Sequence, residues 1–190
     1  PFPEDLELPV LLKVGDDVST DEILPAGTLA MPLWSSVTGM SEYAFEGCDP
    51  GYPECAKKVL EEGGHAVVGG RNYGQGSSRE HAALAPRYLG LRVVIAKQIA
   101  RIHWENLVNF GVLPLTFTDE ADYDALEQGD TLSLSSVPET LRGGRELTLE
   151  NRTRGTELTV RHGLSGRQVG ILLGGGLINW MRERLIEREG

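Results

Sequence analysis

The chain has 190 residues, enough for one domain with a real core, and 18 Lys and Arg against 28 Asp and Glu leave a net charge of −10. That balance argues against a general nucleic-acid or anionic-membrane partner, so any bound anion must be held by local geometry against the overall field. Two cysteines, Cys48 and Cys55, are too few for a four-cysteine zinc site or for holding an iron–sulfur cluster alone, and no stretch approaches the ~18 apolar residues of a membrane span.

The acidic, proline-bearing start, residues 1–9, carries no signal-peptide pattern. It reads as a linker or N-terminal extension ahead of one domain over residues 10–190. A Cys48–Cys55 disulfide is possible, but the missing secretion signal favours reduced thiols and a cytoplasmic location. Pro9–Val14 is a short apolar run, expected as a strand. Gly15–Gly27 is a loop of Gly, Asp, Ser, Thr and Pro. Glu54–Glu62 reads as a short helix ended by Gly63-Gly64. His65–Val68 is a second strand that runs into the loop Gly69–Gly76.

Ser77–Leu89 is then predicted as a helix, interrupted late by Pro86 and closed by Gly90. Leu91–Ala96 is a strand. Gln98–Phe110 is a helix with Ile99, Ile102 and Leu107 near one face. Val112–Phe117 is a strand. This alternation suggests a parallel layer with right-handed crossovers. Thr131–Ser135, Glu146–Glu150 and Glu157–Arg161 alternate apolar and polar residues, as half-exposed antiparallel strands do. A helix, Leu177–Arg188, ends the chain. The fold class predicted from the pattern is α/β with a mixed sheet.

Gly74-Gln75-Gly76-Ser77-Ser78-Arg79-Glu80-His81 is the most informative segment. Ser77 and Glu80 fit a capping box, which would make Ser77 a helix cap and nothing more. Three features point further. Gly74 and Gly76 permit close backbone approach, Ser78 adds a second hydroxyl, and Arg79 offers planar bidentate binding of a carboxylate or phosphate. Gly76 is followed by Ser77 and not by Lys, so the segment is no P-loop. Arg79 stands where a dinucleotide fingerprint needs its third glycine. A carboxylate is therefore the better-fitting anion. His65, His81, His103 and His162 lack the i, i+4 spacing of a zinc hydrolase. Glu22 reads as a solvated loop charge, and His81, Trp104, Asn106 and Asn109 as structural, with Asn106 able to buttress the serine loop.

The segments YGQGSSREHAALAPRYLG and IARIHWENLVNFGVLPLTF, with VGDDVSTDEILPAG before them, resemble the swivel domain of the aconitase superfamily. The resemblance runs from about Val10 to the C-terminal helix and is greatest to the fourth domain of an aconitate hydratase. Small subunits of isopropylmalate and homoaconitate dehydratases are similar alternatives. It implies a swivelling β/β/α domain that closes over a [4Fe–4S] cluster ligated by other domains, or by a large subunit, and a tricarboxylate substrate converted by removal and re-addition of water. It further implies that Ser77 is the base, that Ser78 and Arg79, on the Gln75-Gly76 loop, bind the substrate carboxylate, and that Asp21 orients this network. As cap and base, Ser77 would have two competing uses for one oxygen. The register of a second carboxylate-binding arginine holds Trp34, and residues 28–70 contain no arginine, which leaves the substrate open.

Overall fold

The computed structural model describes residues 2–26 and 36–189. Among these, seven strands close into a barrel in the order β1 (Leu6–Lys13), β2 (His65–Gly69), β3 (Leu91–Ala96), β4 (Leu113–Phe117), β7 (Thr156–Arg161), β6 (Glu146–Asn151), β5 (Thr131–Leu134), and β5 pairs back onto β1. The first four strands run parallel and the other contacts are antiparallel. The mixed sheet read from the pattern is present, and its closure removes both edges.

The two halves differ in sequence because they differ in burial. All five residues of β2 are buried, and β3 exposes only Arg92 in part, as parallel strands covered on both faces must. β6 and β7 alternate exposed and buried residues, the signature of one wet face. Leu8, Val10, Val68, Ile95, Leu115, Leu132, Leu149 and Val160 fill the interior. Val67 and Val94, on the opposite pleat, pack with a second core under the helices.

The helices are α1 (Thr20–Ile23), α2 (Val37–Ser41), α3 (Tyr52–Val59), α4 (His81–Tyr88), α5 (Arg101–Asn109), α6 (Val137–Gly143), α7 (Gly166–Leu173) and α8 (Leu177–Glu189). α6 and α7 carry no clear period of their own in sequence, yet Val137, Leu141, Val169 and Ile171 join the barrel core. Ile102 is exposed, whereas His103, Asn106, Leu107 and Val108 form the buried face of α5; the apolar face expected through Ile102 is thus rotated toward two polar residues. On α8, Ile178, Met181 and Leu185 are exposed. No helix among the described residues is long and apolar enough to cross a membrane.

β1 starts at Leu6, three residues before the predicted strand. Leu6–Pro9 pair with β5, and the buried Phe2 donates its N–H to Leu173 O at 2.9 Å. The segment read as a linker is built into the domain because Leu6, Leu8 and Val10 alternate inward between the acidic residues and prolines that suggested a linker. Cys48 and Cys55 are both free thiols.

Asp130 ties the lower barrel together. Its carboxylate accepts from Glu127 N–H, Asn151 Nδ2 and Arg154 Nε at 2.8–2.9 Å. Burial pushes this carboxyl up, but the Glu127, Arg154 and Asn151 hydrogen bonds outweigh burial and hold it below the usual carboxylate range. A depressed folded-state pKa stabilises above the unfolded value and is lost as the group protonates. Asp130→Asn should therefore lower the unfolding free energy at pH 7 by about 1–3 kcal/mol. The gap to the parent should narrow below about pH 4; urea unfolding against pH checks this, and a gap independent of pH would contradict it.

Candidate active site

β1, β2 and β3 run parallel, so their carboxyl ends emerge together, the position where open α/β layers gather loops for ligand binding. The segment after β1 and the glycine loop after β2 meet there. Gly74 N–H donates to Val18 O at 2.7 Å, Thr20 N–H to Gln75 O at 2.8 Å, and Ser19 and Gln75 form a one-residue parallel bridge. On the loop's other side, Tyr73 and Ile99 form a second such bridge, and Ala100 N–H donates to Tyr73 O at 2.8 Å. The glycine loop is thus held between the segment leading into α1 and the segment leading into α5.

Side chains complete the registration. Gln75 Nε2 donates to Asp17 O at 2.9 Å, and Asn72 Nδ2 donates to Gln75 Oε1 at 2.9 Å and Asp17 Oδ1 at 3.1 Å. Thr20 Oγ1 donates to Ser77 O at 3.0 Å. Gly74 and Gly76 have φ of +79° and +105°, which glycine alone adopts without strain. At Gly74 a Cβ would also overlap the His103 ring.

Arg79 Nη1 donates to Asp21 Oδ1 at 2.6 Å and to Leu24 O at 3.2 Å. Two residues 58 apart in sequence, which the resemblance assigns to one network, are therefore in direct contact. The Arg79 hydrogen bond, then the one from Ala26 N–H, hold the Asp21 carboxyl below the usual carboxylate range. Among the described residues Arg79 Nε and Nη2 have no partner, which leaves one edge of the guanidinium for a bidentate anion.

The capping box expected at Ser77–Glu80 is not formed. α4 begins at His81, with Glu80 as N-cap and no side-chain cap, because Ser77 is still bound into the loop through its carbonyl. Among the described residues the Ser77 and Ser78 hydroxyls have no hydrogen-bond partner, and both residues are exposed. The competition between cap and base for one oxygen does not arise. A capping box does form one loop earlier: Ser19 accepts from Glu22 N–H at 3.1 Å and Glu22 Oε2 accepts from Ser19 N–H at 2.8 Å. Glu22, read as a solvated charge, fixes the helix that presents Asp21. Trp34 lies outside the described residues.

A cavity of about 220 Å³ opens beside the serines, lined among others by Thr20, Ser77, Ser78, Arg79, His103 and Asn106. A larger one of about 410 Å³ adjoins it between α4, α5 and the start of α8, and Asn106 borders both. His103 and Asn106 were assigned packing roles from sequence or left without one, yet both are polar and buried on this wall. His103 lies against Tyr73, with ring centroids 5.5 Å apart, and burial pushes its imidazole down to about 4, so it is neutral near pH 7. The only signal for them in sequence is a pair of polar residues where the period of α5 asks for apolar ones. His65 and His162 are buried elsewhere, against Tyr52 Oη at 2.6 Å and Gly144 O at 2.7 Å.

The described residues contain no group of three His, Cys, Asp or Glu side chains placed to hold a metal ion. Two free thiols, one half-buried and one exposed, do not supply the three or four thiolates of a [4Fe–4S] cluster. The cluster implied by the resemblance does not fit this chain's own residues.

With this geometry in view, residues 34–120 match the family model for the aconitase C-terminal domain. The chain is 38% identical over 208 residues to a putative mitochondrial aconitate hydratase of Aspergillus fumigatus, covering 97% of this chain and 26% of the relative. It is 36% identical over 179 residues to the 3-isopropylmalate dehydratase small subunit of Aquifex aeolicus, covering 93% and 94%. The crystal structure of 3-isopropylmalate dehydratase from Methanocaldococcus jannaschii superposes with a TM-score of 0.78 at 27% identity, covering 97% of this chain and 98% of that one. The chain spans about a quarter of the length of the aconitate hydratase it matches.

The loop geometry separates two glycines that look alike in sequence. Gly76→Ala meets nothing nearer than Thr20 Oγ1 at 3.4 Å, so it should cost only backbone strain, about 1–3 kcal/mol. Gly74→Ala carries the same strain and drives a methyl into His103, and should cost about 1–3 kcal/mol more. Chemical denaturation of the two variants checks this order; equal losses would show that the loop does not bear on α5.

Proposed function

The chain belongs to the aconitase C-terminal domain family, and we propose that it forms the substrate-clamping half of a hydro-lyase active site, as the swivel domain of an aconitate hydratase acting on citrate and isocitrate through cis-aconitate. The observation that carries this reading is the Arg79–Asp21 pair, which joins the two loops and, among the described residues, leaves the Ser77 and Ser78 hydroxyls and one edge of Arg79 unengaged at a cavity.

The roles follow from the chemistry of each group. Removing water across a carbon pair requires a proton to leave the carbon beside a carboxylate, where negative charge then builds. Ser77 is the base. Its alkoxide is accessible only where a cation and N–H groups stabilise it away from water. Arg79, aligned by Asp21, supplies that cation and takes the substrate carboxylate on Nε and Nη2. Ser78 donates its hydroxyl to the same carboxylate. When water is re-added, the Ser77 hydroxyl returns the proton. The iron–sulfur cluster expected for this chemistry is bound by other domains of the same polypeptide or by a large subunit, and this chain closes over it. A second reading, a small subunit of 3-isopropylmalate or homoaconitate dehydratase, is supported by the match over nearly the whole length of such a subunit.

By itself the 190-residue chain should show no hydratase turnover, since it lacks a ligand set for the cluster. In the assembled enzyme, Ser77→Ala should lower kcat by about 10²–10⁴-fold. Arg79→Lys, which keeps the charge but loses the bidentate edge, should raise KM by about 10–100-fold, the loss of a charged hydrogen bond. Steady-state kinetics separate the two effects. Near-parent turnover by Ser77→Ala would remove Ser77 from the role of base.

A further inference from the structure

The start of α4 lies beyond the serines and carries Glu80, so it offers them no open helix end for an anion. The neighbouring helix offers one. α5 begins after Ala100, which has no side-chain group to cap it, and its first intrahelical bond is Trp104 N–H to Ala100 O at 2.9 Å. Among the described residues the N–H groups of Arg101, Ile102 and His103 therefore have no acceptor. Ala100 through His103 line the same cavity as Ser77, Ser78 and Arg79. An alanine N-cap forgoes about 1 kcal/mol relative to Ser or Asp, and it keeps these donors open.

The wall behind this helix end is independently unsatisfied. His103 is 2% exposed and, among the described residues, neither ring nitrogen has a partner; Asn106 is 8% exposed and its Nδ2 has none among them. Both residues line the cavity. Buried polar atoms without partners are uncommon in folded proteins, because each costs the desolvation of its group. Here two such side chains sit one turn apart on a helix whose first turn also has open donors. Together they form a donor-rich wall beside Arg79 in a chain of net charge −10.

We propose that the first turn of α5, with His103 and Asn106, is a second carboxylate-binding wall, taking a carboxylate of the substrate other than the one paired with Arg79. This rests on the reading of the serine–arginine loop as a polycarboxylate clamp. A polycarboxylate brings two or three negative charges, and Arg79 matches one. Backbone N–H groups, the positive end of the α5 dipole and neutral side-chain donors receive another without a second buried cation. His103 suits this as a neutral donor. Arg101, exposed and 3.6 Å from Glu105, adds charge at the rim.

The test is an amide NMR titration of the 190-residue chain with propane-1,2,3-tricarboxylate. The barrel closes within this length, and a solved chain of the same extent has the fold. The amides of Arg101, Ile102 and His103 and the Asn106 side-chain amide should shift on one binding curve with those of Ser77–Arg79. Arg101→Ala should weaken binding less than about threefold, as an exposed charge does. Arg101→Pro removes one open N–H at a position where the helix tolerates proline, since Ala100 already has the extended φ of −59° and ψ of 134°, and it should weaken binding about tenfold.

Asn106→Leu removes a buried orphan donor, so it should raise the melting temperature while weakening binding about tenfold. A merely structural asparagine would give the opposite pair of results, lower stability with unchanged binding, and would overturn the proposal. Shifts confined to Ser77–Arg79 would overturn the α5 wall and leave the serine–arginine clamp standing. No shift at either place would also overturn the wall, while the base role of Ser77 is judged by turnover in the assembled enzyme. If Arg101→Pro loses its dispersed spectrum, Asn106→Leu decides, and full-strength binding by it would overturn the proposal.

Discussion

Gly74 lies between the Val18 carbonyl, which accepts its N–H at 2.7 Å, and the ring of His103, which leaves no room for a side chain. This contact ties three parts of the site together: the segment leading into α1, the glycine loop and α5. From it follow the Ser19–Gln75 bridge on one side and the Tyr73–Ile99 bridge on the other. The barrel sets the positions of the strand ends, and the Gly74 contact sets where the loops meet above them. Asp21 and Arg79, one on each loop, are within hydrogen-bond reach because this register holds.

Much of the fold was legible because burial writes itself into sequence. The continuous apolar runs of β2 and β3 and the alternation in β6 and β7 marked parallel and antiparallel strands, and they were found within a residue or two. Closure of the sheet was not legible, since no local pattern records which strands meet at a seam. The predicted β1 is short at its start because the exposed Glu7 lies between the buried Leu6 and Leu8 and reads as part of the acidic N-terminal run. α7 was missed although Ser165 and Gln168 form a capping box, as the glycines at 166 and 170 obscured its period.

The site was legible in its parts and not in its geometry. Ser19-Thr20-Asp21-Glu22 and Ser77-Ser78-Arg79-Glu80 carry the same Ser-x-x-Glu pattern, yet only the first forms a capping box. The pattern states what a serine can do locally. The tertiary bond from Thr20 to the Ser77 carbonyl decides what it does. Likewise, no sequence rule distinguishes a polar residue that pairs inside a core from one left open at a cavity wall. Asn106 reads from sequence as a buttress of the serine loop and His103 as having no role; their open donors became visible only once their surroundings were known.

The proposed chemistry rests on local arrangement overcoming global charge. At −10 the chain would repel a polycarboxylate at long range, so the proposed clamp depends on Arg79 being aligned before substrate arrives. Its Nη1 is held by Asp21, and its Nε and Nη2 edge faces outward from that pair, an orientation whose entropy is already spent. The direct measurement of this claim is a double-mutant cycle of Asp21→Asn and Arg79→Lys on kcat/KM in the assembled enzyme. If Asp21 acts by aligning Arg79, the two losses should be non-additive by about 0.5–3 kcal/mol. Additivity within about 0.5 kcal/mol would contradict it, showing that the two residues act on the substrate independently.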